Sequence, residues 1–280
     1  DTAKILSNRQ QVKRLLARKS EGPVKPRIVA IVPVKNTYPD HPNIALQEIA
    51  GKPLLDYTLD SARRTGLFNT IFVSTDDPAV IEHCRNRAGI VANLRPEALS
   101  HLDVRFSRVV HDAVTRLEEE YDVFPDIVVI LNVHTPLRKP EQIVKAVDTL
   151  LLYNSDSVIS VVEDWAIHFK HGLNGLEPLN PAMINRVRLE REALFVDNGA
   201  LKVAWRDSIG EDDLFGEKIS HIVMPLEDSV IASGEANIWL IAHVLNRQRT
   251  EHEGRQIAGD DAPAEESAAR GALLDERNGV

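Results

Sequence analysis

RIVAIVPV (27–34) decides the fold. The run is apolar, rich in β-branched residues and free of polar alternation, the mark of a strand covered on both faces. Moving outward, PLLDYTLDSARRTG (53–66) sets apolar residues at helical spacing and stops at Gly66. TIFVST (70–75) reads as a second buried strand and DPAVIEHCRNRAG (77–89) as a second helix. An edge strand at 90–94, a helix at 106–120, a core strand DIVVILNV (126–133), a helix at 140–153 and a strand SVISVVE (157–163) follow. Strands alternating with helices predict an α/β fold, a mostly parallel sheet flanked by helices. Residues 164–194 interrupt the rhythm and read as an insertion, a lid or an oligomer arm. Strands near 194–204 and 219–224 and a helix at 234–248 close the pattern.

The ends differ from this body. Residues 1–26 read as an N-terminal helix and linker, broken by Gly22, Pro23 and Pro26. Residues 27–250 form the expected domain, and the Ala- and Glu-rich stretch 251–280 an acidic, disordered tail. The formal net charge is −9 although residues 1–27 are basic, so the body is acidic and unsuited to a broad nucleic-acid interface. No apolar run is long enough to span a bilayer, which needs roughly 18 residues. The start lacks the apolar core of a secretory leader. A lone Cys84 makes no internal disulfide, and a reducing cytoplasmic location is the expectation.

In an open α/β sheet, ligands bind beyond the carboxyl ends of the strands. Lys35 follows the first strand, Asp76 and Asp77 the second, and Asn132, His134, Thr135 and Arg138 the third. Together they make a polar mouth suited to an anionic ligand. Dinucleotide, P-loop, nucleophile-elbow and zinc-binding spacings are absent from the sequence. A helix cap is the competing role for one aspartate, since Asp77 precedes Pro78. His134 reads as a strand-end histidine satisfied by backbone, with a proton carrier as the alternative. Cys84 reads as packing.

The blocks IVAIVPVK, GKPLLDYTL, FVSTDD, LRPEAL, ILNVHTPLR, DSVISVV and FVDNGALKV, in this order over about residues 27–245, resemble those of the CMP-sugar-acid synthetases. These are cytidylyltransferases that activate N-acylneuraminate and related nine-carbon acids. The resemblance implies transfer of CMP from CTP to an acidic sugar with release of pyrophosphate. It places Lys35 and Arg95 at catalytic positions, and Lys35, Asn43, Asp76, Asp77 and Arg95 around the nucleotide. Asn132, Thr135, Arg138, Asn198 and Gly199 fall around the acceptor. It also implies a homodimer built through the 164–194 arm.

The departures are specific. Much of the family's first-loop basic motif has no counterpart after Lys35. Its SxDxD block, whose carboxylates hold Mg²⁺, corresponds to Ser229-Val230-Ile231-Ala232-Ser233. Mg²⁺ would then be held mainly by the nucleotide, or by substitute acids among Asp40, Asp103, Glu227, Asp228 and Glu235. The alternative is a catalytically degenerate relative that binds a nucleotide or a partner.

Overall fold

The computed structural model describes residues 26–37, 42–187, 190 and 192–260. The helix expected within residues 1–26 lies outside the described residues, apart from the linker end at Pro26, and so does residue 261 onward.

The strands are β1 (Ile28–Val34), β2 (Glu48–Ile49), β3 (Lys52–Pro53), β4 (Thr70–Thr75), β5 (Ile90–Leu94), β6 (Ile127–Leu131), β7 (Ser157–Asp164), β8 (Phe169–Gly172), β9 (Gly175–Pro178), β10 (Leu194–Trp205) and β11 (Ile219–Val223). Seven form one sheet in the order β11-β7-β10-β6-β1-β4-β5. Every neighbouring pair is parallel except those of β10, which runs antiparallel to both β6 and β7. The central run is β1, where Ala30, Ile31 and Val32 are fully buried, as a strand covered on both faces requires.

The helices are α1 (Leu54–Arg64), α2 (Pro78–Cys84), α3 (Phe106–Glu120), α4 (Pro140–Tyr153) and α5 (Gly234–Asp260). They divide the core in two. Val32 and Val34 point into a layer with Leu54, Leu55 and Leu59 of α1 and Ile143 and Val147 of α4. Val29 and Ile31 point the other way, against Val110, Val114 and Leu117 of α3. A buried ion pair clamps α3 to the end of β10, with Arg206 donating to both oxygens of Glu118 at 2.7 and 2.9 Å. This bidentate geometry satisfies two charges that would be costly to bury singly.

Two boundaries differ from expectation. The second helix ends at Cys84, not near Gly89, because Arg85 turns extended and Asn86 takes a left-handed conformation (φ 60°). The run Arg85-Asn86-Arg87 also supplies no apolar face to bury. The last helix runs to Asp260, past residue 251, where the tail was expected to begin. Within the 164–194 segment, β8 and β9 form a separate two-stranded hairpin. Phe169, Leu173, Leu176 and Leu179 are exposed there.

Candidate active site

Strands β1, β4, β5 and β6 are parallel, so their carboxyl ends open along one edge of the sheet. The loop after β1 is organised by Asn36, a fully buried side chain that the sequence reading passed over. Its Oδ1 accepts from Ala45 N at 2.8 Å, and its Nδ2 donates to Asp77 at 2.6 Å. Its backbone N–H donates to Asp76 Oδ1 at 2.9 Å. Asp76 also accepts from Thr37 and lies 3.4 Å from Lys35 Nζ. Burial alone would push the Asp76 carboxyl up. The hydrogen bonds from Thr37 and Asn36, with the charges of Arg95 and Lys35, outweigh it and hold the group below its ordinary value. Asp77 caps α2 by accepting from Ala79 N at 2.8 Å.

A hollow of about 340 Å³ opens between the ends of β1, β5 and β6. Its polar lining is Lys35, Arg95, His101, Asn132 and His134, with apolar walls from Leu99, Phe106 and Val109; among the described residues no carboxylate lines it. Lys35 donates to Ser100 O, and the buried Arg95 donates to Val34 O and Ser74 O. Both cations are therefore fixed by backbone carbonyls at the rim, an arrangement that positions charge before a ligand arrives.

A second hollow of about 730 Å³ lies beside β7 and β10. Glu163, Asp164, Trp165, Asp197, Asn198, Ser229 and Ile231 line it, without a lysine or arginine among the described residues. Asp164 pairs with His168 at 2.9 Å, and Asp197 pairs with Lys202. The walls of the two hollows meet at two points. Gly199 sits so that a Cβ there would come 3.8 Å from Asn132 Nδ2. Ala232 N donates to His134 O at 2.7 Å, next to Ile231.

The structure sorts the expected site residues. Lys35, Arg95 and Asn132 line the smaller hollow, whereas Asp76 and Asp77 stand behind it as anchors of the loop. Asn43 is exposed and left-handed (φ 61°), and its N–H donates to Asn36 O, so it shapes the loop and does not line the hollow. Thr135 and Arg138 are corrected most clearly, because both are buried beneath the mouth. Arg138 Nη1 donates to Asn132 O, Thr135 Oγ1 and Ala200 O at 3.0, 3.0 and 2.6 Å. Burial without a carboxylate pulls its pKa down to about 9. Asn198 borders the larger hollow, yet its amide is spent on Ser160, Ala200 N and Ser229. Asn198-Gly199 turns the chain inside a strand. It is an irregularity within β10, where the register to β7 shifts between Asp197 and Lys202 and Gly199 takes φ 65°.

Among the described residues, no group of three His, Cys, Asp or Glu side chains is placed to hold a metal. Ile231 borders the larger hollow as an apolar side chain. Asp228 is buried and held by Lys139 and Gln142 at 2.8 and 2.7 Å. Asp40 lies outside the described residues. Among the described residues, then, the side chains do not form a carboxylate set for Mg²⁺.

A family model described as "Cytidylyltransferase" matches residues 42–214, more than half of the sequence. The chain belongs to the cytidylyltransferase family. Among curated relatives, the CMP-N,N'-diacetyllegionaminic acid synthase of Legionella pneumophila is 32% identical over 137 residues, which is 48% of this chain and 57% of that protein. The N-acylneuraminate cytidylyltransferase of Streptococcus agalactiae serotype III is 30% identical over 137 residues, 48% of this chain and 32% of the other. The match thus spans about a third to just over half of these cytidylyltransferases. Among solved structures, the 4-diphosphocytidyl-2C-methyl-D-erythritol synthase of Anaerococcus prevotii superposes with a TM-score of 0.59 at 12% identity, covering 79% of this chain and 99% of that one. That likeness carries the fold.

Proposed function

We propose that the protein transfers CMP from CTP to a hydroxyl of an acidic sugar of the nine-carbon type, releasing pyrophosphate. The observation that carries this reading is the charge of the smaller hollow, with two anchored cations, two histidines and, among the described residues, no carboxylate. Such a wall suits a triphosphate, and Asn132 offers both a donor and an acceptor to a base or sugar edge. The larger hollow, joined to it through Gly199 and Ala232, takes the acceptor. Lys35 and Arg95 neutralise charge on the phosphates, and the shared wall holds the two reactants in reach. Mg²⁺ arrives on the nucleotide with its waters. The relatives' names support the acidic class of acceptor.

An acidic sugar needs a cation that the larger hollow's own walls do not supply. In this reading a second copy supplies it, through the arm that carries Lys170 and Arg186, and the protein is a homodimer. Its exposed Phe169, Leu173 and Leu176 are the contact. The acidic body disfavours nucleic acid as a partner. Among the described residues no helix is long and apolar enough to cross a membrane, and the buried thiol of Cys84 suits a reducing, cytoplasmic setting. Ile231 at the larger hollow favours a second reading, a relative that binds CTP without transfer.

Calorimetry and a pyrophosphate assay test both. CTP binding with pyrophosphate release that depends on an acidic nine-carbon sugar supports transfer. Binding alone, across a panel of acidic sugars with Mg²⁺ present, supports the second reading. Absence of CTP binding at millimolar concentration overturns both.

A further inference from the structure

His134 joins the two hollows. It lines the smaller one together with Lys35 and Arg95, while its carbonyl accepts from Ala232 N at 2.7 Å, in the segment that walls the larger one. That segment presents the apolar Ile231 to the larger hollow. Two of the nearby carboxylates are committed elsewhere. Asp76 is held by Lys35, Thr37 and Asn36, and Asp228 by Lys139 and Gln142. Imidazole is the side chain whose unperturbed proton affinity lies nearest neutral pH.

We infer that His134 is the general base that takes the proton from the acceptor hydroxyl; the inference rests on the transfer reading above. As the hydroxyl oxygen bonds to the α-phosphorus of CTP, its proton passes to a ring nitrogen of His134. The bond from the α-phosphorus to the bridging oxygen breaks, and pyrophosphate leaves with that electron pair. The ring then returns its proton to water. Among the described residues, the charged and titratable groups that line the same hollow as His134 are Lys35, Arg95 and His101, and Arg138 bonds Asn132 O beneath the same turn. On the Ala232 side stand Asp228, neutralised by Lys139, and Glu235 at the start of α5.

The test is the pH dependence of pyrophosphate release for the full chain between about pH 5 and 8, with CTP affinity measured in parallel. The wild-type rate should fall on the acid side through the range in which imidazoles titrate. His134→Gln and His134→Asn should each lose about 10²–10⁴-fold in turnover, lose that acid limb, and still bind CTP by calorimetry. Turnover and acid limb unchanged in both variants overturn the inference and leave the transfer reading standing. So does an acid limb that persists in them and disappears in Glu163→Gln. Wild-type protein that binds CTP but releases no pyrophosphate with any acceptor overturns the transfer reading, and this inference with it.

Discussion

Asn36 is fully buried in a loop, and its side chain spends its amide on Asp77 and its carbonyl on Ala45 N. Asn36→Ala leaves both partners without their bond in a closed space. The expected cost is about 1–3 kcal/mol, read as a lower urea midpoint, together with weaker CTP binding as the loop behind Lys35 loosens. An unchanged midpoint would show that water takes over both bonds. Asp76 makes the same loop sensitive to acid. Its folded carboxyl is held below the ordinary value, so the folded state binds this proton more weakly than the unfolded chain. The stabilisation is complete above the ordinary carboxylate range, about 3.9, and is lost as pH falls through the depressed folded value. A series of unfolding curves in acid should show this loss in the wild type and not in Asp76→Asn. The single letters of the sequence mark Lys35 and Arg95 because cations at strand ends stand out against an apolar background. Asn36 is invisible there, since nothing in its neighbours announces that the loop folds back on its amide. Thr135 and Arg138 mislead for the converse reason. Polar residues after a strand look like a mouth, but here the turn folds them under it to bond Asn132 O and Ala200 O.

The elements themselves are legible wherever a buried face repeats. The continuous run of β1 and the spacing of Val109, Val110, Ala113, Val114 and Leu117 in α3 each fix a strand or helix by what they must bury. The end of α2 escapes such reading because it depends on one left-handed asparagine, Asn86. The irregularity in β10 escapes as well, since Asn-Gly is a turn signal that tertiary pairing to β6 and β7 overrides. The β8–β9 hairpin is where an element's surface makes a prediction. Its exposed Phe169, Leu173 and Leu176 form too much apolar surface for a solvated arm. Light scattering should give twice the 31.2 kDa chain mass, and Phe169→Asp with Leu176→Asp should return a single-chain particle. A wild-type particle of single-chain mass at tens of micromolar, roughly the range of ordinary stable association, contradicts the dimer.

At the scale of the molecule, charge is partitioned between two adjoining hollows, cationic at the smaller and carboxylate-lined at the larger. The larger one lacks an acid at Ile231, which sits at the position where the resemblance places a metal carboxylate. Ile231→Asp combined with Ser233→Asp should lower the Mg²⁺ concentration that gives half-maximal pyrophosphate release, with unchanged circular dichroism. No shift in metal dependence would show that the segment does not face the reacting phosphates. The sequence order of blocks carried the family, because most of those blocks are core strands with the turns that follow them, and GKPLLDYTL opens α1. It could not carry the larger hollow, whose walls come from β7, β10 and the 226–231 segment, brought together only by the antiparallel placement of β10. Transfer makes a new phosphodiester, which phosphorus NMR of the protein with CTP, Mg²⁺ and an acidic nine-carbon sugar detects. The α-phosphate resonance of CTP should give way to that of a CMP-sugar phosphodiester while inorganic pyrophosphate appears in equal amount. A spectrum in which CTP persists unchanged, or breaks down only to free CMP and pyrophosphate, would contradict transfer.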